Sequence, residues 1–253
     1  MRPALQYGNG PHKAIVMNGW LGCAANWQSM LEAIDPRSCE IAVFDYRGYG
    51  TKREMLGAYT FEEAAQDVLA LADHMGWDRF ALIGHSMGGM AIQRVALTAP
   101  ERVKSLLGLA PVSAAGSSLL GDRLSLFEKA VKDENARQSI VDFSTGKRLS
   151  STWCATVARD AGNAHLPQAM LAYLNQWGQT DFSAQASKLV LPTRVMVGQH
   201  DPSINTVSVA TTWLVHHPHA SIEEVAGAGH YPMQEAPAFV GSAVERWLTG
   251  MKP

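Results

Sequence analysis

Residues 80–91 read Phe-Ala-Leu-Ile-Gly-His-Ser-Met-Gly-Gly-Met-Ala, and this stretch decides the fold. The apolar run Phe80–Ile83 is typical of a short strand buried on both faces, and apolar residues at helical spacing follow the glycines. A strand that turns directly into a helix holds the residue at the turn in strained backbone, where side chains two positions away would collide. Gly84 and Gly88 remove those side chains, so the pattern predicts a sharp turn with Ser86 exposed at its tip.

Short apolar runs alternate with helical patterns along most of the chain, which favours βα units on a mainly parallel sheet. A helix over residues 60–75 is indicated by its apolar face, by the capping-box pair Thr60 and Glu63, and by Gly76 at its end. The last helix runs from about Pro237 to Thr249. Seven strands are predicted, near Leu5–Tyr7, Lys13–Met17, Glu40–Phe44, Phe80–Ile83, Val103–Leu109, Arg194–Val197 and Ser221–Val225.

The alternation of strands and helices breaks over residues 112–189, which read as several helices with Gly and Ser between them and no convincing strand. We expect this stretch to be a helical cap insertion over a core formed by residues 1–111 and 190–253. Four side chains of this stretch have two possible roles that the sequence supports equally well: Trp153, Met170, Tyr173 and Trp177. They either line an apolar substrate pocket or pack within the insertion.

The strand before Ser86 and the helix after it provide the context in which a G-x-S-x-G sequence presents a nucleophile. The alternative, a Gly-Ser turn with no chemistry, does not account for this setting. The edge where parallel strands end is also where α/β proteins bind ligands. At the start of the following helix, the amide of Met87 is free to donate to a developing oxyanion.

A serine hydroxyl is a weak nucleophile and needs a general base. Among nine histidines, His230 lies in a glycine-rich loop between the final strand and the final helix, where this architecture places its base. His216, His217 and His219 surround a proline, and we expect a solvated turn there because no carboxylate spacing supports a metal site.

The acid that orients the histidine should follow another strand at the same edge of the sheet. Asp201 follows the strand Arg194–Val197, and no acidic residue follows Val103–Leu109, the usual alternative position. An Asp-Pro helix cap, with Pro202 as the first helical residue, is the alternative role, and both roles are compatible.

A second donor for the oxyanion is expected in the loop after the strand Lys13–Met17. Gly19 lets the chain turn close to the nucleophile, so the amide of Trp20 would point at the oxyanion. An ordinary glycine turn with Trp20 merely packing is the alternative.

As an ordered set, these motifs and the turn Asp45–Gly50 resemble the α/β-hydrolase superfamily, in particular its small esterase, C–C hydrolase and cofactor-free haloperoxidase branch. The resemblance implies an α/β-hydrolase fold with helices on both faces of a mainly parallel sheet. It also implies a triad and an oxyanion hole at the residues identified above: Ser86, Asp201, His230, Trp20 and Met87. The chain departs from the family in two respects. Asn18 replaces the usual histidine before the oxyanion-loop glycine, and the short N-terminus leaves about seven strands.

Composition and charge argue against several classes of binding partner. The net charge is −2 and no basic stripe exists, which argues against a nucleic-acid partner. No apolar run is long enough for a membrane span, and no leader sequence is evident. Three widely separated cysteines fit reduced thiols in a cytoplasmic protein. No nucleotide loop or metal spacing appears, so no cofactor is expected.

The predicted reaction is hydrolysis of a small, largely apolar carboxylic ester, thioester or lactone through an acyl-enzyme on Ser86. A C–C bond hydrolase and a lactonase are alternatives on the same fold, and a slow-turnover ligand sensor is an alternative of another class. Haloalkane dehalogenases and epoxide hydrolases are disfavoured, because they carry Asp at the position of Ser86.

Overall fold

A computed structural model describes residues 1–250 of the 253-residue chain, and its centre is a seven-stranded sheet. The strands are β1 (Leu5–Gly8), β2 (His12–Met17), β3 (Cys39–Phe44), β4 (Phe80–His85), β5 (Val103–Leu109), β6 (Thr193–Gly198) and β7 (Ser221–Val225). Their spatial order is β1-β3-β2-β4-β5-β6-β7, with β1 antiparallel to β3 and every other pair parallel. The predicted fold class and all seven predicted strands are confirmed.

Eleven α-helices and two short 3-10 helices, Ala24–Trp27 and Gly50–Lys52, accompany the sheet within the described residues. In chain order, the α-helices are α1 (Gln28–Leu31), α2 (Phe61–His74), α3 (Met87–Thr98), α4 (Gly121–Ala130), α5 (Glu134–Ser144), α6 (Ser151–Ala164), α7 (Pro167–Gln179), α8 (Ser183–Ala186), α9 (Thr206–His216), α10 (Pro232–Glu235) and α11 (Pro237–Thr249). Helix α11 packs with α1 against β2 and β3, while α3 packs with α2 against β4 and β5. Helices α4 to α8 fall between β5 and β6, and no strand of the sheet comes from residues 112–189.

The middle of the sheet is fully buried, which explains its apolar sequence. Every residue of β4 is buried, and so are the last four residues of β2. Parallel strands covered by helices on both faces have no solvated side and therefore show no alternation of polar residues. Strands β4 and β6 both run parallel to β5, so their carboxyl ends lie at the same edge of the sheet, and the candidate site forms there.

Helix α2 has the predicted N-cap, Thr60, but only half of the predicted capping box. The Thr60 side chain accepts a hydrogen bond from the amide of Glu63 at 3.1 Å, as predicted. The Glu63 carboxylate, however, accepts from the amides of Ala58 and Tyr59, so the reciprocal half of the capping box is absent. Tyr59 has a φ of 56°, and this turn directs the two earlier amides toward the carboxylate. Gly76 ends the helix with a φ of +68°.

The prediction of a solvated turn at the three clustered histidines is wrong for one of them. His217 is buried, and its Nε2 lies 2.9 Å from Oε1 of Gln93, while its ring packs against Trp213. Burial lowers the pKa of His217 to about 4. His219 is exposed, as expected. His217 follows the last residue of α9 and is buried by its contacts with Trp213 and Gln93. The local sequence does not reveal this tertiary packing.

A second buried histidine outside the site predicts how stability depends on pH. His165 stacks on Tyr49 with ring centroids 3.9 Å apart, and neither ring nitrogen has a well-formed hydrogen bond to residues 1–250. Burial lowers the pKa of His165 to about 3. An unfolded histidine titrates near 6.5, so the unfolded chain gains a proton at pH values where the folded chain does not. The stability that neutral His165 provides is therefore complete above pH 6.5 and is lost as the pH falls toward 3.

Replacing His165 with phenylalanine should retain the stacking and remove this loss. Between pH 7 and pH 5, the free energy of unfolding of the variant should fall by about 2 kcal/mol less than that of the wild type. Denaturant titration at the two pH values measures this difference, and the exposed residue His74 provides the control His74→Asn. Equal losses in His165→Phe and the wild type would contradict the assignment.

Candidate active site

Ser86 lies at the turn between β4 and α3, in the backbone conformation that its neighbours allow. Its φ is 51° and its ψ is −116°, a region that non-glycine residues rarely adopt. A Cβ on Gly84 would lie 2.3 Å from the carbonyl oxygen of Gly88, and a Cβ on Gly88 would lie 2.3 Å from that of Met17. The two glycines therefore permit the turn by removing side chains, as the sequence analysis predicted.

Two hydrogen bonds connect the three predicted polar residues. His230 Nε2 lies 2.9 Å from Ser86 Oγ, and His230 Nδ1 lies 2.6 Å from Asp201 Oδ2. Because an ionised carboxylate can only accept, Nδ1 carries the imidazole proton and Nε2 accepts from the serine hydroxyl. The Asp201 side chain is fully buried, whereas His230 retains slight exposure toward the cavity. The structure thus brings together residues separated by 144 positions in the chain.

The environment of Asp201 keeps its carboxylate ionised. Burial alone would raise its pKa, but the adjacent His230 and the hydrogen bonds at the carboxylate outweigh burial and hold the pKa below the usual value. The amides of Ser203 and Ile204 donate to Oδ1 at 2.9 and 3.0 Å. Helix α9 begins only at Thr206, so Asp201 caps a tight turn and not the helix itself.

His85, inside the turn motif, is a buried and neutral neighbour of the triad. Its Nε2–H donates to the carbonyl oxygen of His230 at 2.8 Å. Burial and the proximity of His230 lower the pKa of His85 to about 3, so the ring is neutral and carries its single proton on Nε2. His85 therefore anchors the backbone of His230 from the side of the sheet. This contact could not be predicted from local sequence, because His85 and His230 are 145 residues apart.

The loop after β2 lies directly against the serine. A Cβ on Gly19 would lie 3.1 Å from Ser86 Cβ and 2.6 Å from His85 Nδ1, so only glycine fits there. The next residue is Trp20, and the amides of Trp20 and Met87 donate to no acceptor within residues 1–250. Neither amide therefore has a competing acceptor in that range, and their role as oxyanion donors stays a prediction.

Asn18 stands where the resemblance implies a histidine, and its side chain forms hydrogen bonds that hold this loop. Its Nδ2 donates to the carbonyl oxygen of Phe44 at 2.7 Å and to Asp45 Oδ1 at 3.0 Å, and its Oδ1 accepts from Trp27 Nε1 at 2.6 Å. Asp45 also accepts from the amides of Ala24 and Thr51. The buried asparagine is thus held on three sides, and the loop is fixed without a histidine.

A cavity of about 600 Å³ opens onto Ser86 and His230. One wall is apolar and includes Trp20, Phe127 and Trp177, whose rings contact one another with centroids 5.1 to 6.2 Å apart. The lining also includes hydroxyl residues from α9 and the turn before it: Ser203, Ser208 and Thr212. Two charged side chains, Asp122 and Arg123, also belong to the lining.

Of the four pocket residues expected from the insertion, only Trp177 lines this cavity. Tyr173 is buried among other aromatic rings, including Tyr46 and Tyr49. Met170 is buried, and its carbonyl oxygen accepts from the indole nitrogen of Trp20 at 2.8 Å. Trp153 instead packs edge-on against Tyr231. The partners of these three residues all lie in residues 1–111 or 190–253, so the three join the insertion to the core, a role that neither of the two expectations described.

Several residues that line the cavity come from α4 and were not predicted from the sequence. Arg123, Leu126 and Phe127 line the cavity at helical spacing, so they share one face of the helix. Leu126 lines the cavity while remaining 37% exposed. The apolar spacing within residues 121–130 was the signal that could have identified them.

The described residues show three further features that bear on function. Within residues 1–250, no group of three His, Cys, Asp or Glu side chains is arranged to hold a metal ion. No helix in that range combines the length and apolarity that crossing a membrane requires. Cys23, Cys39 and Cys154 are all unbonded thiols.

Fold and site together define an α/β-hydrolase, and comparison with known proteins agrees. The family model for the alpha/beta hydrolase fold matches residues 15–237, so the chain belongs to this family and is a hydrolase. The chain is 28% identical over 232 residues to the pimeloyl-[acyl-carrier protein] methyl ester esterase of Aliivibrio salmonicida, covering 86% of this chain and 85% of that protein. It is 23% identical over 243 residues to the 3-oxoadipate enol-lactonase 2 of Acinetobacter baylyi, covering 94% and 90%.

Solved structures agree on the fold. A bromoperoxidase from Bacillus anthracis superposes with a TM-score of 0.81 over 95% of this chain and 92% of its own. Its sequence identity is 18%, so this likeness concerns the fold alone.

Proposed function

We propose that this hydrolase cleaves a small, largely apolar carboxylic ester through an acyl-enzyme on Ser86. One observation carries the proposal: the hydroxyl of Ser86 is hydrogen-bonded to His230, which is hydrogen-bonded in turn to a buried, ionised Asp201. A serine in this arrangement can lose its proton as it attacks, whereas an isolated serine cannot.

The reaction follows from the positions of these groups. His230 Nε2 takes the hydroxyl proton while Ser86 Oγ attacks the carbonyl carbon, and Asp201 stabilises the resulting imidazolium. The amides of Met87 and Trp20 would donate to the oxyanion of the tetrahedral intermediate. His230 then protonates the leaving alkoxide, which departs as an alcohol. In the second half, the same nitrogen deprotonates water, and the acyl group leaves as a carboxylic acid.

The proposed substrate class rests on the cavity and on the relatives. We assign residues 112–189 as a cap over a core of residues 1–111 and 190–253, because helices of this stretch supply much of the cavity wall. The wall formed by Trp20, Phe127 and Trp177 favours an apolar acyl or alcohol group. Two of the relatives are named as a methyl ester esterase and an enol-lactonase, and both names describe hydrolysis of an ester linkage.

A lactone is the second candidate substrate, because one relative that spans most of this chain is named as a lactonase. A lactone is a cyclic ester, so it requires the same attack and the same oxyanion donors.

A panel of short acyl esters and lactones, with a vinylogous diketone for the C–C alternative, would rank the substrates by kcat/KM. Stoichiometric retention of a product without multiple turnover would instead favour the ligand sensor.

The nucleophile is tested by mass spectrometry after treatment with a fluorophosphonate, which captures an activated serine. We expect a single adduct on the peptide that contains Ser86 in the wild type and none in Ser86→Ala. The variant Ser203→Ala is a matched control, because this serine also lines the cavity but lies outside the triad. An adduct on another residue, or equal labelling of Ser86→Ala, would overturn the assignment.

A further inference from the structure

The loop that carries His230 is held by a segment of the insertion. We define the base loop as residues 227–235 and the brace as residues 144–148, which lie at the end of α5 and in the connection to α6. The amide of His230 donates to the carbonyl oxygen of Ser144 at 3.1 Å. A Cβ on Gly229 would lie 2.7 Å from Cα of Thr145, so the two backbones are in direct contact.

One buried carboxylate holds the backbone on both sides of His230. Glu235 Oε2 accepts from the amide of Gly229 at 2.8 Å, and Oε1 accepts from the amide of Tyr231 at 3.0 Å. The Glu235 side chain is 1% exposed. A buried carboxylate of this kind fixes the conformation of a loop, because each amide would otherwise lose its acceptor.

The counter-ion of that carboxylate comes from the brace. Arg148 Nη1 lies 3.1 Å from Glu235 Oε2, and Arg148 Nη2 donates to the carbonyl oxygen of Gly227 at 2.6 Å. The same guanidinium also donates to the carbonyl oxygen of Thr145 at 3.3 Å. Arg148 therefore joins the brace to the base loop at two points and neutralises the buried charge.

The brace also touches the loop that carries the acid. Gly146, with a φ of +70°, lies so close to His200 that a Cβ would be 2.7 Å from its carbonyl oxygen. His200 immediately precedes Asp201. A single short segment of the insertion thus contacts the backbones beside both the acid and the base.

We propose that Glu235 and Arg148 are positioning residues that hold His230 in register with Ser86 and Asp201. Through this pair, the insertion sets the geometry of the base beneath it in addition to enclosing the substrate. The inference rests on the proposed role of His230. Neither residue lines the cavity, so neither contacts the reacting atoms. Their effect arises because displacing a catalytic group by about 1 Å can lower a rate about 100-fold.

The test compares kcat and KM in three single variants and in the double variant Glu235→Gln/Arg148→Met. A glutamine at position 235 has one acceptor oxygen, so it leaves one of the two amides without an acceptor. Glu235→Gln should therefore lower kcat by about 10- to 100-fold with KM within about twofold of the wild type. Arg148→Met should lower kcat by about 10-fold, and Arg148→Lys should recover part of that loss because the charge is retained. The double variant should lose less than the product of the single losses, because both residues act on one loop.

Arg159→Met is the matched control, because Arg159 lies on the same insertion and, within residues 1–250, makes its hydrogen bond and ion pair to Thr156 and Asp160 of its own helix. Its kcat should equal that of the wild type. The rate of fluorophosphonate labelling per folded molecule should follow kcat in every variant. Melting temperature is measured in parallel, because a merely structural role would lower it without changing turnover per active site.

The outcomes separate this inference from the proposed function. Wild-type turnover per active site in Glu235→Gln, or a raised KM with unchanged kcat, would overturn the positioning role while Ser86 still labels. A wild type that does not label at Ser86 would overturn both. If Glu235→Gln does not fold, Arg148→Met and Arg148→Lys provide the test. A higher kcat in Arg148→Lys than in Arg148→Met would support the positioning role, and equal kcat values in the two would overturn it.

Discussion

Replacing His230 with alanine is expected to lower kcat by about 10⁶-fold while the protein remains folded. The serine hydroxyl would lose its proton acceptor, which lies 2.9 Å away. His85 cannot substitute for it. The centroid of its ring is 5.1 Å from that of His230, its Nε2–H is committed to a backbone carbonyl, and burial lowers its pKa to about 3. The remaining rate would come from binding and the oxyanion donors alone.

The measurement is the steady-state kcat on the best ester of the substrate panel, with circular dichroism to verify folding. His219→Ala provides the control, because this histidine is exposed and lies in the connection before β7. A loss of less than about 10-fold in His230→Ala would remove His230 as the base. An equal loss in the control would point instead to a general effect of histidine removal.

The fold was predictable because its determinants are local. Strands buried on both faces must be apolar throughout, and the short apolar runs such as Phe80–Ile83 identify them without any knowledge of their neighbours. The turn at Ser86 was equally visible, since the glycines two positions away on either side are required by the backbone itself. A parallel sheet then places the ends of β4 and β6 at one edge, so the proximity of Ser86 and Asp201 follows from topology.

The walls of the cavity were not predictable, because they depend on how helices of the insertion pack. Tyr173 and Trp177 are four residues apart on α7 and share a face, yet Tyr173 packs into an aromatic cluster and Trp177 reaches the cavity. No local pattern distinguishes the two. The contacts of Glu235 could not be predicted either, because its partner Arg148 is 87 residues away in the chain. An exposed glutamate would have the same neighbours in the sequence.

Substituting Asp201 with asparagine is expected to lower kcat by about 10⁴-fold with little change in KM. The amides of Ser203 and Ile204 both donate to Oδ1, so an asparagine would keep its oxygen there and turn its amide group toward His230. That amide donates, and His230 Nδ1 would have to accept. The imidazole would then carry its proton on Nε2, which could no longer take the proton of Ser86.

This effect of the tautomer distinguishes Asp201 from an aspartate that only stabilises a turn. Asp181 provides the matched control, because its Oδ1 accepts from the amide two residues later at 2.8 Å, as Asp201 does, but it is exposed and far from the triad. Asp181→Asn should retain wild-type kcat. If Asp201→Asn kept kcat within about 10-fold of the wild type, the ionised carboxylate would not be orienting His230. Asp201 would then serve the turn alone, and the acid of the triad would have to come from elsewhere.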